Sequence, residues 1–217
     1  MMLLTLLLAI STCEPPPVVE LPASNSSNAF AIMLTGDGGW RPIDRHVTDT
    51  LRANGIPVVG FLVPAYFRKL RLPDESACAL AELIRTYQQR WHKQKVILIG
   101  FSRGADVLPF MVNRLPPDIR PSVAGIALLG LEPWIDFRYS PPWTLAHYFR
   151  HEAQFAVLPE VEKLRGQNVL CVYGEREKDT LCHRLDPSQF RIVREPGAHH
   201  FGGRYDEVGK AILDAAR

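Results

Sequence analysis

Gly100-Phe101-Ser102-Arg103-Gly104 sets one hydroxyl between two glycines, directly after the apolar run Val96-Ile97-Leu98-Ile99 and directly before a helical pattern. A strand that turns sharply into a helix at such a serine lifts the hydroxyl clear of its neighbours. It leaves it at a helix N-terminus, where developing negative charge is favoured. The two glycines remove side chains that would collide at the turn. The chemistry is nucleophilic attack on an acyl carbon, and a serine hydroxyl needs a base to perform it. His199 and His200 stand together in Glu195-Pro196-Gly197-Ala198-His199-His200-Phe201. His200 is the expected base, because an apolar residue follows it; His199 is the alternative. A carboxylate should orient that base and fall between nucleophile and base in chain order. The run Gly174-Glu175-Arg176-Glu177-Lys178-Asp179 offers it, with Asp179 expected and Glu177 the alternative.

Two N–H groups must meet the oxyanion of the intermediate. Arg103 N–H, next to the nucleophile, supplies one. The glycine-rich stretch Gly36-Asp37-Gly38-Gly39 permits close backbone approach, and Asp37 or Gly38 supplies the other. This stretch lacks the Lys and Ser/Thr of a phosphate-binding loop, and its glycine spacing does not match the dinucleotide fingerprint. His147 and His151 lie one helical turn apart, but Glu152 falls outside the pair, unlike the His-Glu-x-x-His zinc motif. No metal and no cofactor is expected.

These residues are positioned by an alternation of β-rich apolar runs and helical patterns, which points to a mostly parallel sheet flanked by helices. Strands are expected at Ala29 to Leu34, Ile56 to Val63, Lys95 to Gly100, Ser122 to Gly130, Asn168 to Tyr173 and Gln189 to Arg194. Helices are expected at Pro42 to Asn54, Asp74 to Trp91, Gly104 to Leu115 and Tyr205 to Ala216. This is the α/β-hydrolase arrangement, an α/β sheet of about six strands. The stretch from Leu131 to Leu158 breaks the rhythm and carries Trp134, Phe137, Tyr139, Trp143, Tyr148, Phe149 and Phe155. It reads either as a lid-like apolar cover over the site or as a folded insertion using its aromatics as core.

The chain has 217 residues and a formal net charge of +2, with charges interspersed, so a nucleic-acid partner is not indicated. Residues 1–13 form an apolar segment of signal-peptide or lipoprotein-like character ending at Cys13, too short to span a bilayer as a helix. Residues 14–28, rich in Pro, Ser and Asn, read as a flexible tether, and 29–217 as the catalytic domain. The N-terminal segment places the domain outside the cytoplasm, held at the inner membrane by that segment or by a lipid on Cys13. Cys171 and Cys182 either pair across their loop in such a compartment or remain buried thiols.

Three segments together resemble the bacterial virulence protein family VirJ and its longer relative AcvB: Thr35-Gly36-Asp37-Gly38-Gly39-Trp40-Arg41, Ile99 to Phe110 with its Ala-Asp-Val-Leu-Pro-Phe after the serine motif, and Cys171-Val172-Tyr173-Gly174 with Asp179-Thr180-Leu181-Cys182. The resemblance covers nearly all of the chain after residue 28. It implies a periplasmic enzyme that removes alanine or lysine from aminoacyl-phosphatidylglycerol. It also implies a triad of Ser102, Asp179 and a His of the 199–200 pair, and a Cys171–Cys182 disulfide. Its partners would be an anionic or aminoacylated phospholipid at a membrane surface and secretion-system proteins. Asp37, Trp40, Arg41 and Asp106 would then bind substrate, Asp37 or Asp106 receiving its ammonium and Arg41 or Arg103 facing the lipid phosphate. The competing readings are another carboxylesterase or lipase, and a non-catalytic accessory factor for secretion.

Overall fold

The computed structural model describes residues 13–24, 27–141 and 155–216. In chain order its first elements are β1 (Val18–Leu21), β2 (Ala29–Leu34), α1 (Pro42–Ala53), β3 (Val58–Phe61), α2 (Val63–Tyr66), α3 (Pro73–Trp91), β4 (Lys95–Phe101) and α4 (Arg103–Asn113). They are followed by β5 (Val123–Leu129), β6 (Trp134–Ile135), β7 (Phe155–Ala156), α5 (Leu158–Glu162), β8 (Val169–Gly174), β9 (Arg191–Glu195) and α6 (Tyr205–Ala215). Seven strands form one sheet in the order β1-β3-β2-β4-β5-β8-β9. Every neighbouring pair is parallel except β1 with β3, which is antiparallel at the sheet edge.

Alternation along the strands builds two cores, because successive side chains of a strand point to opposite faces. Phe30, Ile32 and Leu34 of β2 and Val96 and Leu98 of β4 pack with Leu80 and Ile84 of α3 and Leu108 and Met111 of α4. Ala31, Met33, Ile97 and Ile99 face the other way and meet Ile43, Val47 and Leu51 of α1 and Val208 and Ile212 of α6. With helices on both faces the central strands are buried on both sides, which is why β4 is a continuous apolar run. Parallel strands send their C-terminal ends to one edge of the sheet, where the loops after β2, β4, β5, β8 and β9 converge.

The six expected strands and four expected helices are all present, and the N-terminal expectation is corrected. Residues 14–28 are not simply a tether. Val18–Leu21 pairs with β3, Pro17 O accepts from Leu62 N at 2.9 Å, and Glu20 accepts from the Tyr87 hydroxyl at 2.7 Å. A four-residue edge strand between prolines gives almost no periodic signal, and prolines are tolerated only beside such edges. Cys13 is bonded to Cys78 of α3. A thioether lipid would need the same sulphur, so the reading of Cys13 as a lipid-bearing residue gives way to a cross-link that ties the N-terminal strand to α3. The Met1 to Thr12 segment lies outside the described residues. Among the described residues no helix is long and apolar enough to cross a membrane. Cys171 and Cys182 form the second disulfide.

The aromatic stretch divides. Phe137 is fully buried and meets Phe67, Phe110 and Phe155 edge-to-face at centroid distances of 5.7, 5.3 and 5.2 Å, so these rings are core. Trp134 is exposed and Tyr139 half-buried, and both line the cavity described below. Trp143, Tyr148 and Phe149, like His147 and His151, lie outside the described residues.

Candidate active site

Ser102 sits at the junction of β4 and α4 with φ 54° and ψ −125°, a left-handed state rare for a residue with a side chain. Such a conformation costs on the order of 1–3 kcal/mol and persists only where the surroundings over-determine it. They do so here. Ser102 N–H donates to Leu129 O at 2.8 Å, and Asp106 N–H closes the first helical turn on Ser102 O at 3.1 Å. A side chain at Gly100 would strike the backbone of Gly104, and one at Gly104 the carbonyls of Leu34 and Thr35. The sequence expectation that both glycines clear the turn is thus met by backbone against backbone, with no flexible atom able to give way.

The loop after β2 packs directly on this turn. A Cβ built on Gly36 would lie 3.1 Å from Ser102 Cβ. Gly39, at φ 69°, closes the loop by donating its N–H to Gly36 O at 3.0 Å. Asp37 and Gly38 are thereby set beside the nucleophile, across from Arg103. As the first residue of α4, Arg103 has an N–H with no intrahelical acceptor. The Arg103 side chain, 8% exposed, pairs with the Asp37 carboxylate, donates to Asp136 O at 2.8 Å and lies over the Tyr139 ring. It is a strut between three loops, and this corrects the expectation that it faces a lipid phosphate. Asp37 is correspondingly engaged. Asp106 is buried, accepts Glu132 N–H at 2.8 Å, and is held well above the usual carboxylate range by its burial. Asp106 is thus closed to an ammonium group, whereas the Asp37 carboxylate is half exposed and shared with Arg103. Trp40 lies against Gly60 of β3 while lining the cavity, and the exposed Arg41 lines it too.

The carboxylate–imidazole pair that the structure forms is not the one expected first. His199 Nδ1 is 2.6 Å from Glu177 Oε1, and the other carboxylate oxygen of Glu177 accepts Gly174 N–H at 2.6 Å. Backbone bonds zip the acid loop to the histidine loop: Glu175 N–H to Glu195 O and Arg176 N–H to Gly197 O, both at 2.8 Å. This zipper carries Glu177 under the imidazole and turns Asp179 out to solvent. The hydrogen bond to Glu177 raises the His199 pKa against the opposing effect of burial. His200 is more exposed, and burial followed by the charge of His199 lowers its pKa. The Phe101 ring lies against both imidazoles, at 5.1 Å from His199 and 5.5 Å from His200. Two adjacent histidines differ here only in which one the zipper presents to a carboxylate, and no sequence pattern records that.

Gly130, just past β5, backs the pair. Its φ is 65°, and a Cβ on it would stand 2.7 Å from Cε1 and 2.9 Å from Nδ1 of His199. Gly130→Ala is expected to lower kcat on a soluble ester about a hundredfold, because a displacement of about 1 Å in a reacting group costs that much. Gly166→Ala is the control: φ is 81° and nothing lies within 4 Å of the new Cβ, so it bears only the backbone penalty. Equal kcat for the two variants would remove Gly130 as a support of the imidazole.

Ser102 lines two depressions that share the wall formed by Asp37, Gly38, Gly39 and Arg41. One, of about 1020 Å³, is lined by Asp37, Trp40, Arg41, Arg68, Arg103, Asp106, Glu132, Trp134 and Tyr139 among others. The second, of about 530 Å³, is lined by Ser102, Phe101, His199, His200 and Tyr205. Glu132 had not been singled out by the sequence reasoning; its signal is its place as the first acidic residue after β5. Among the described residues no His, Cys, Asp and Glu group could hold a metal ion.

The architecture is that of known structures of the α/β-hydrolase fold. Est1E from Butyrivibrio proteoclasticus superposes with a TM-score of 0.61 at 11% identity, covering 91% of each chain. The Pyrococcus furiosus esterase Pf2001 gives 0.61 at 15% identity, over 94% of this chain and 90% of that one. A thioesterase domain from the curacin biosynthetic pathway gives 0.58 at 13% identity, over 92% and 100%. No curated protein matches the sequence. Residues 28–217 match the family described as bacterial virulence protein VirJ, a range that takes in every strand of the large sheet except β1, together with the serine turn, the acid loop and the histidine loop. The chain belongs to the VirJ family.

Proposed function

We propose that this protein is a serine ester hydrolase that removes the amino acid from aminoacyl-phosphatidylglycerol in the periplasm. The observation that carries the reading is a serine held at positive φ on a helix N-terminus, in one cleft with a histidine bonded to a partly buried carboxylate. Ser102 Oγ attacks the ester carbonyl, and its proton passes to His199 Nε2, the nitrogen left free when Nδ1–H is given to Glu177. Glu177 holds that tautomer and stabilises the imidazolium. The N–H groups of Arg103 and of Asp37 or Gly38 receive the oxyanion. Phosphatidylglycerol leaves as an alcohol, taking the proton from His199. Water, deprotonated by the same imidazole, then releases the amino acid and restores Ser102. The resemblance to VirJ and AcvB supports this substrate. Two disulfides support an oxidising compartment. Anchoring at the inner membrane would fall to the N-terminal segment, not to Cys13.

The test is release of amino acid from vesicles containing alanyl- or lysyl-phosphatidylglycerol by the purified chain. Release that Ser102→Ala abolishes supports the reading and names the headgroup. No release, in a protein that still labels at Ser102 with an active-site phosphonate, assigns the machinery to a different ester. Neither release nor labelling would make the chain a non-catalytic accessory factor of secretion.

A further inference from the structure

The larger depression holds the exposed cations Arg41 and Arg68, and its carboxylates differ in how far they are engaged. Arg103 and Asp37 satisfy each other, and Asp106 is buried on the backbone of residue 132. Glu132 is exposed, lines the cavity, and its carboxylate has no hydrogen-bond or ion-pair partner among the described residues. Its backbone is nevertheless fixed. Glu132 N–H is held by Asp106 at 2.8 Å, and the preceding Leu131 O accepts from Leu181 N at 3.0 Å and from Thr180 Oγ1 at 3.1 Å. Two residues upstream is Gly130, whose backbone lies against the His199 ring. Glu132 thus lines the same depression as Ser102, on a backbone segment that is anchored at residues 131 and 132.

We infer that Glu132 is the specificity-determining carboxylate of the site, and that it receives a cationic ammonium group on the acyl side of the ester, at the carbon next to the scissile carbonyl. A rigid backbone that presents a solvated, unpaired carboxylate pays little reorganisation on binding a cation. A carboxylate that lines the same depression as Ser102 suits an α-ammonium, whereas a side-chain ammonium four carbons further on would reach past it. The inference rests on the ester-hydrolase reading and refines it.

The experiment compares matched soluble p-nitrophenyl esters with the purified chain, after subtraction of spontaneous hydrolysis: alanyl against propionyl, and 6-aminohexanoyl against hexanoyl. The wild type is expected to prefer alanyl over propionyl in kcat/KM by on the order of 10- to 100-fold beyond the inductive activation of the carbonyl by the α-ammonium, the value of one charge-assisted hydrogen bond. Glu132→Gln is expected to lower that ratio by this same factor relative to the wild type, and Glu132→Lys to lower it further. Neither should change the 6-aminohexanoyl to hexanoyl ratio. An alanyl-to-propionyl ratio that both substitutions leave at the wild-type value overturns the inference, and so does a loss confined to the 6-aminohexanoyl pair. Absence of any Ser102-dependent turnover of all four esters would instead sink the hydrolase reading itself, so the two failures are separable.

Discussion

Ser102→Ala is expected to lower kcat for an aminoacyl ester by about a millionfold, the loss typical of removing the nucleophile from a serine hydrolase. The remaining rate would come from the oxyanion donors and from binding, neither of which the substitution touches. The fold should survive. Alanine keeps the Cβ that already tolerates φ 54°, and the backbone bond from residue 102 N–H to Leu129 O needs no side chain. Ser102→Gly sharpens the test. Glycine adopts positive φ without strain, so this variant should be as inactive as the alanine form yet more resistant to denaturant by about 1 kcal/mol. Greater stability with lost activity would mean that the turn stores strain for the hydroxyl it displays. An alanine variant within tenfold of the wild type in kcat, folded by circular dichroism, would remove Ser102 from the chemistry.

How far the sequence carries depends on the kind of contact that fixes each residue. The serine turn was legible because its requirements are local. A parallel strand buried on both faces must be apolar throughout, a sharp turn must clear side chains at Gly100 and Gly104, and both constraints fall within five residues. The strands β2, β4, β5 and β8 were legible for the same reason. β1 was hidden, since an edge strand of four residues needs only one partner and carries no amphipathic pattern of useful length. Cys13 looked like a lipid attachment point by its position after an apolar run, whereas its partner Cys78 is 65 residues away in α3 and nothing near either cysteine announces the other. The pairing of Glu177 with His199 was not legible because it is made by register between two loops. Had the zipper at Glu175 and Arg176 been displaced by a residue, a different side chain would lie under the imidazole. Arg103 and Glu132 illustrate the reverse case. Each is a charged residue beside the nucleophile in sequence or in space, yet one is neutralised by Asp37 and the other is left open, a distinction only three-dimensional pairing makes.

That register argument yields the second large effect. His199→Ala is expected to lower kcat to nearly the same floor as Ser102→Ala, since members of a triad act as a unit, and Glu177→Gln by about ten-thousandfold. Asp179→Asn and His200→Ala should stay near the wild type, because Asp179 is exposed and His200 lies at the rim without the carboxylate. The pH profile separates an orienting role from a merely structural one. Glu177 raises the His199 pKa by bonding the protonated ring, and the base works only when neutral. The acidic limb of kcat/KM in the wild type should therefore lie above the ordinary histidine value. In Glu177→Gln the stabilising charge is gone while burial still disfavours the imidazolium, so the limb should move to lower pH even as the plateau collapses. A limb that stays in place in Glu177→Gln and moves in Asp179→Asn would return the acid to Asp179. Such a result would require the loop to re-register in solution so that residue 179, two positions further along the chain, reaches the ring.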